Sequence, residues 1–338
     1  MIKEALFYQK LPGKRVRCDL CRIRCNIAPG MRGLCGVREN RDGVLYTLVY
    51  GKPIALNVDP IEKKPLFHFL PGSRAFSIAT VGCNFHCDFC QNWDISQIGR
   101  NGRIEGYDVP PEKVVELAEE YSCQVVAYTY TEPVIFYEYA KDTAALAVRK
   151  GMKNVFITNG YITEEALRDI RPYLHGVNID LKGWSERYYR KIIGARLSEV
   201  LDSLRLHRKL GIWLEVTTLI VPGWNDSEKD IREIARFVRD ELGDWTPWHI
   251  SRFYPHYKMR NYPPTPISVL EMAYEIGKEE GLKYVYLGNV PGHKGENTYC
   301  PNCGRLVIGR VGFSITEYHL DEEGRCQYCG YKIHGVFH

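Results

Sequence analysis

Cys83, Cys87 and Cys90 lie in the stretch CNFHCDFC, spaced C-x3-C-x2-C, with no fourth cysteine nearby. A structural metal site normally takes four protein ligands. Three thiolates can instead hold three irons of a [4Fe–4S] cluster and leave the fourth iron open to a small ligand with an amine and a carboxylate. The alternative is a zinc ion completed by His86 or a distant residue. Two groups of four cysteines flank this loop. Cys300, Cys303, Cys326 and Cys329 are spaced C-x2-C-x22-C-x2-C, with a glycine after each pair. Two such knuckles predict a closed tetrahedral site, for zinc first, although iron suits the same geometry. Cys18, Cys21, Cys25 and Cys35 are spaced C-x2-C-x3-C-x9-C. Four thiolates there suit either zinc, folding a segment too short to bury its own core, or an iron–sulfur cluster. Lone Cys123 reads as a buried hydrophobe.

The rest of the composition supports metal rather than disulfide chemistry. The N-terminal stretch MIKEALFYQKLPGKRVRC carries charge and proline where a signal peptide needs an apolar block. No apolar run is long enough to span a bilayer. A cytoplasmic location is expected, and thiols stay reduced there, so twelve cysteines, all but Cys123 in clusters, point to metal. A net charge of +4, from 45 basic and 41 acidic residues, calls for neither nucleic acid nor a membrane as partner. The basic run GKRVR at 13–17 reads as solvated surface.

The elements that must position these residues alternate through the middle of the chain. AFSIATVG, QVVAYTYTE, NVFITNG, GVNIDLKG, IWLEVTTLIVPG and PWHISRFYP read as strands separated by helical stretches, and KYVYLGN offers a seventh. Repeated strand–helix units predict an α/β fold with a parallel sheet, a partial (β/α)6 TIM-like barrel, with a flat doubly wound sheet as the alternative. Three segments are expected: 1–74, an N-terminal metal-binding domain; 75–296, the partial barrel; and 297–338, a zinc-ribbon or rubredoxin-like domain. The three-cysteine loop follows the first strand at its carboxyl end, where active sites of such barrels lie. Period-two alternation puts Asn178, Asp180 and Lys182 on one face, and likewise Tyr128, Tyr130 and Glu132, Glu215 and Thr217, and His249 and Ser251. Converging buried polar side chains bind a ligand or each other. His249, His256 and His293, with Arg252 and Tyr254, are candidates for substrate contact near the open end.

CNFHCDFCQNWD resembles the signature of radical S-adenosylmethionine (radical SAM) enzymes, with an aromatic just before the third cysteine. Residues 75 to about 256 resemble the activating enzymes of glycyl-radical enzymes, such as that of pyruvate formate-lyase. Nearly the whole chain resembles the radical SAM proteins of the AmmeMemoRadiSam system, through CDLCRIRCNI, IEKKPLFHFLPGS, YTYTEPVIF, VPGWND and YLGNVPGHKGENTYCPNCG. The resemblance implies that Cys83, Cys87 and Cys90 ligate a [4Fe–4S] cluster and that Phe89 and Asn92 lie against the adenine of SAM. It sets Glu132 to read the SAM amino group, and Thr158, Asp180 and Lys182 to line the SAM site. Tyr130 and Thr131 replace the two glycines that precede the glutamate in the family, and Ile157 stands where the activating enzymes carry an aspartate. Auxiliary clusters are common in the superfamily, which keeps the N-terminal quartet open to one.

The expected activity is reductive cleavage of SAM to methionine and a 5′-deoxyadenosyl radical, which takes a hydrogen from a substrate that the sequence does not name. A protein glycine is one candidate, by analogy with the activating enzymes. A one-electron reductant is required, and the family name implies Memo-like and AMMECR-type partners. The alternative is a non-catalytic, metal-rich binding or electron-carrying scaffold. Formation of 5′-deoxyadenosine from SAM and dithionite separates the two.

Overall fold

The structure is a computed structural model that describes residues 1–338. Seven strands follow one another in chain order along the main sheet: β1 (Arg74–Ala79), β2 (Val125–Tyr128), β3 (Lys153–Thr158), β4 (Gly176–Asp180), β5 (Trp213–Ile220), β6 (Trp248–Arg252) and β7 (Val285–Gly288). Strand Ala55–Pro60 adds an eighth at the β1 edge. The pairs β1–β2, β2–β3, β5–β6 and β6–β7 are parallel, and KYVYLGN does form a seventh strand. The α/β class with a mostly parallel central sheet is thus established, and it is compatible with a partial barrel.

The crossover helices follow the signals in the sequence. They are α1 (Pro111–Glu120), α2 (Tyr137–Arg149), α3 (Glu164–Ile170), α4 (Leu197–Lys209), α5 (Glu228–Phe237) and α6 (Ile267–Glu279). Pro111 opens α1, where its missing N–H is not needed. Ser227 caps α5 by accepting from Asp230 N, and Glu228 and Asp230 face the positive end of its dipole. Ile231, Ile234 and Ala235, at spacings of three and four, are the buried stripe of α5.

The chain divides into two compact units. One comprises Met1–Asp59, Arg74–Val177 and Ile192–Ala195; the other comprises Pro60–Ser73, Asn178–Lys191 and Arg196–His338. The first carries β1, β2, β3 and an N-terminal antiparallel sheet of Tyr8–Leu11, Arg15–Cys18 and Asn26–Ile27. The second carries β5, β6, β7 and a C-terminal antiparallel sheet of Thr298–Tyr299, Leu306–Val311 and Ser314–Tyr318. In the second unit Phe67, Tyr284, Tyr286, Val307, Ile308, Leu320 and Ile333 form one buried cluster that includes Cys300 and Cys326.

Candidate active site

The loop after β1 carries the three cysteines. Gly82 precedes Cys83 at φ +96°, a conformation that favours glycine. A Cβ there would lie 2.6 Å from the Cys35 carbonyl oxygen and 2.7 Å from Val37 Cγ1. Phe85 N donates to Cys83 Sγ at 3.4 Å, and Ser96 Oγ lies 3.2 Å from Cys90 Sγ. Phe85, Cys87 and Phe89 are buried. His86 Nδ1 lies 2.9 Å from Gln97 Oε1, while its Nε2 is buried without a partner.

Burial pushes the Cys83 thiol well above its ordinary value, and the Glu132 carboxylate and the Cys87 and Cys90 sulfurs push it further. Thiols in such surroundings ionise when a cation binds them. The residues present fit a thiolate-bound cluster: three sulfurs on one short loop, with polar hydrogens available to two of them.

Glu132 sits beside this loop and is buried. Its Oε1 accepts from Val134 N at 3.1 Å and from Thr158 Oγ1 at 2.6 Å, and its Oε2 accepts from Asn159 N at 2.8 Å. Asn159 Nδ2 also donates to Asn84 Oδ1 at 2.8 Å. The structure thus joins the residue after Cys83, the glutamate after β2 and the TNG end of β3. Alternation read from the sequence carries β2 through Glu132, but the strand stops at Tyr128. Tyr130 turns the chain at φ +63°, and Glu132 caps the short 3-10 turn Pro133–Phe136. The left-handed backbone at Tyr130 is one that glycine adopts freely. Here a tyrosine holds it, with its hydroxyl bonded to Asp59 and its carbonyl accepting from Asn92 Nδ2 at 2.8 Å. Tyr128 faces the core, its ring against Phe156 and its hydroxyl 3.2 Å from Asn154 Oδ1.

In the second unit Lys182 Nζ lies 2.8 Å from Asp180 Oδ2, so these two side chains pair with each other. Glu215 and His249 also pair, Nε2 to Oε2 at 2.7 Å, both fully buried. Glu215 accepts further from Phe67 N, His68 N and Trp213 Nε1 at 2.9, 2.9 and 3.0 Å. Burial would raise the Glu215 pKa, but these donors and His249 outweigh it and hold the carboxyl below its ordinary value. His249 is therefore part of an interior network rather than an open rim. His293 caps the short turn Lys294–Glu296 by accepting from Gly295 N, and Arg252 packs on the Tyr254 ring. His68, Trp213 and Arg310 complete the interior network and carry no signal in the sequence, because a lone histidine or arginine far from its partner has no spacing to read.

All four C-terminal sulfurs lie within 4.8 Å of one another, with Cys300–Cys329 at 3.6 Å and Cys303–Cys326 at 3.8 Å. Four thiolates about 2.3 Å from one zinc would stand at such separations. The glycines after each pair, Gly304 and Gly330, take φ +71° and +73° and return their N–H to Cys300 O and Cys326 O. Asn302 Nδ2 donates to Cys329 Sγ, and that bond leads in lowering Cys329 to about 6, while burial pushes Cys300 up to about 12. The N-terminal quartet is arranged differently: Cys18, Cys21, Cys25 and Cys35 line a recess. Cys123 is buried, as expected of a packing residue.

Residues 77–238 match the family described as the radical SAM superfamily. The uncharacterised protein MJ0808 of Methanocaldococcus jannaschii is 52% identical over 333 residues, covering 98% of this chain and 99% of that protein. The isethionate sulfite-lyase activating enzyme of Nitratidesulfovibrio vulgaris is 31% identical over 99 residues, covering 29% of this chain and 32% of that enzyme. Among solved structures, Streptococcus suis SuiB bound to S-adenosylmethionine is similar with a TM-score of 0.51 at 12% identity, over 68% of this chain and 53% of that one. No helix is long and apolar enough to cross a membrane.

Proposed function

Because the chain belongs to the radical SAM superfamily, we propose that it holds a [4Fe–4S] cluster through Cys83, Cys87 and Cys90 and cleaves SAM with one electron from an external reductant. With SAM bound, such a cluster supplies one-electron cleavage of the sulfonium to methionine and a 5′-deoxyadenosyl radical that abstracts hydrogen. The chain's own residues supply position and dryness. Phe85 N–H and the Ser96 hydroxyl steady two of the sulfurs. Glu132, fixed by Thr158 and Asn159, offers a buried carboxylate to the ammonium of SAM. Phe89 and Asn92 are assigned to the adenine. Asp180 and Lys182 are assigned to the same ligand from sequence resemblance, with Lys182 offsetting its carboxylate. Buried Phe85 and Phe89 limit the access of water to so reactive a species.

The supporting observation is that Asn159 bonds both to Glu132 and to Asn84, the residue after Cys83, on a loop that carries the three cysteines. The substrate we infer is a protein glycine, a reading supported by the likeness to an isethionate sulfite-lyase activating enzyme over part of the chain. Memo-like or AMMECR-type proteins are the proposed partners, and zinc is the proposed ion of the C-terminal quartet. Anaerobic protein given SAM and dithionite is expected to release 5′-deoxyadenosine, and a candidate glycine peptide deuterated at Cα to pass deuterium into it. Absence of 5′-deoxyadenosine from cluster-loaded protein would favour an electron-carrying scaffold instead.

A further inference from the structure

The N-terminal quartet does not close on one point. Cys18 ends the strand Arg15–Cys18, and its N–H bonds to Cys25 O at 2.9 Å, while Arg24 N bonds to Cys21 O at 3.0 Å. Cys18, Cys21 and Cys25 line a recess together with Gly33, Leu34 and Cys35. The recess is partly open to solvent, and carbon and sulfur dominate its lining. The C-terminal quartet differs, since its four sulfurs crowd together around a single-ion position.

Two buried side chains in the recess wall carry donors with no protein partner, Arg38 Nε and Asn84 Nδ2. Arg38 is 2% exposed and Asn84 1%. The remaining Arg38 donors are committed: the guanidinium pairs with Glu138 at 3.0 Å and donates to Leu6 O at 2.6 Å. An unpaired buried N–H is costly, and sulfide or thiolate on a guest in the recess would accept both.

We infer that Cys18, Cys21, Cys25 and Cys35 hold a second iron–sulfur cluster of cubane size, with Arg38 and Asn84 as its hydrogen-bond donors, rather than a single zinc ion. The site lies beside the first. The Cys35 carbonyl is in contact with Gly82, one residue before Cys83, and Asn84 follows Cys83 directly. The inference does not depend on how the Cys83 loop is loaded, and the test separates the two.

The triple variant Cys83→Ala, Cys87→Ala, Cys90→Ala is purified anaerobically after reconstitution with iron and sulfide, and its metal content is measured. About four irons, about four sulfides and one zinc per chain are expected, since a cubane has four of each. Two zinc ions without iron, or an N-terminal quartet free of metal, would overturn the inference. If the triple variant does not fold, the unmodified protein serves. About eight irons with one zinc in all-sulfur coordination by X-ray absorption supports the second cluster, and about four irons with two zinc ions contradicts it.

Discussion

Thr158 Oγ1 donates to Glu132 Oε1 at 2.6 Å, tying the end of β3 to the carboxylate that follows β2. The bond holds Glu132 in one orientation beside Cys83, while Asn159 N holds the other oxygen. Glu132→Gln presents an amide N–H₂ to groups that are themselves donors. The variant is expected to lose about 1–3 kcal/mol of stability and to bind SAM at least about tenfold more weakly, because a buried donor left facing a donor is unsatisfied. Urea denaturation and equilibrium binding of SAM to cluster-loaded protein check both. Unchanged binding would remove Glu132 from the ligand site.

Lys182 pairs with Asp180 at 2.8 Å, and a purely structural pair and a ligand-binding lysine predict different results. Lys182→Met is expected to weaken SAM binding about tenfold while iron content stays unchanged, because the proposed partner of the SAM carboxylate is lost and the cysteines are untouched. Unaltered affinity with lowered stability would identify an ion pair of structural use only.

The C-terminal ion is expected to hold its fold together. Cys326 is buried in the cluster with Phe67, Tyr284 and Tyr286, so its knuckle is part of the core. Cys326→Ser should lose the proposed zinc ion and about 4 kcal/mol or more of stability, as loss of a structural metal does. Zinc analysis together with denaturation midpoints tests this.

Acid should destabilise the second unit in two stages. Burial lowers His68 from 6.5 to about 4; its Nδ1 faces His334 O at 2.6 Å, and its Nε2 faces the Tyr286 hydroxyl at 2.6 Å. A neutral ring with a proton on Nδ1 satisfies both. The folded pKa lies below the unfolded one, so the unfolded chain takes up the proton first. Stability is complete above pH 6.5 and falls as pH drops toward about 4. Glu215 is also held below its ordinary value, by donors that outweigh burial, so its contribution is present above about pH 4.5 and is lost on further acidification. Denaturant titrations at pH 7, 5.5 and 4 should show a progressive fall. His68→Gln should flatten the upper stage, and a pH-independent midpoint would contradict the assignment.

The repeated strand–helix rhythm and both flanking quartets were legible in the sequence because period two, Pro111 and the paired cysteines are local signals. The end of β2 was not, because alternation continues through Tyr130 and Glu132 although the backbone turns at Tyr130, where a long-range bond to Asp59 holds it. His249 read as a residue of the open end. Its partner Glu215 lies on the neighbouring strand, and the register that sets Thr217 beside His249 is visible only once the strands pair. Arg38 was missed because its buried partner Glu138 is 100 residues away. The difference between a crowded quartet and one set around a recess is a matter of loop path, which cysteine spacing does not encode.

The Cys83 loop is expected to leave one iron for SAM to bind. The direct measurement is pulsed electron–nuclear double resonance on the dithionite-reduced protein with SAM labelled by ¹⁵N in its amino group and ¹⁷O in its carboxylate. Hyperfine coupling of both labels to the cluster, lost when Cys83, Cys87 and Cys90 are replaced by alanine, is the predicted result. No coupling to either label in protein that carries a full cluster on this loop would contradict it.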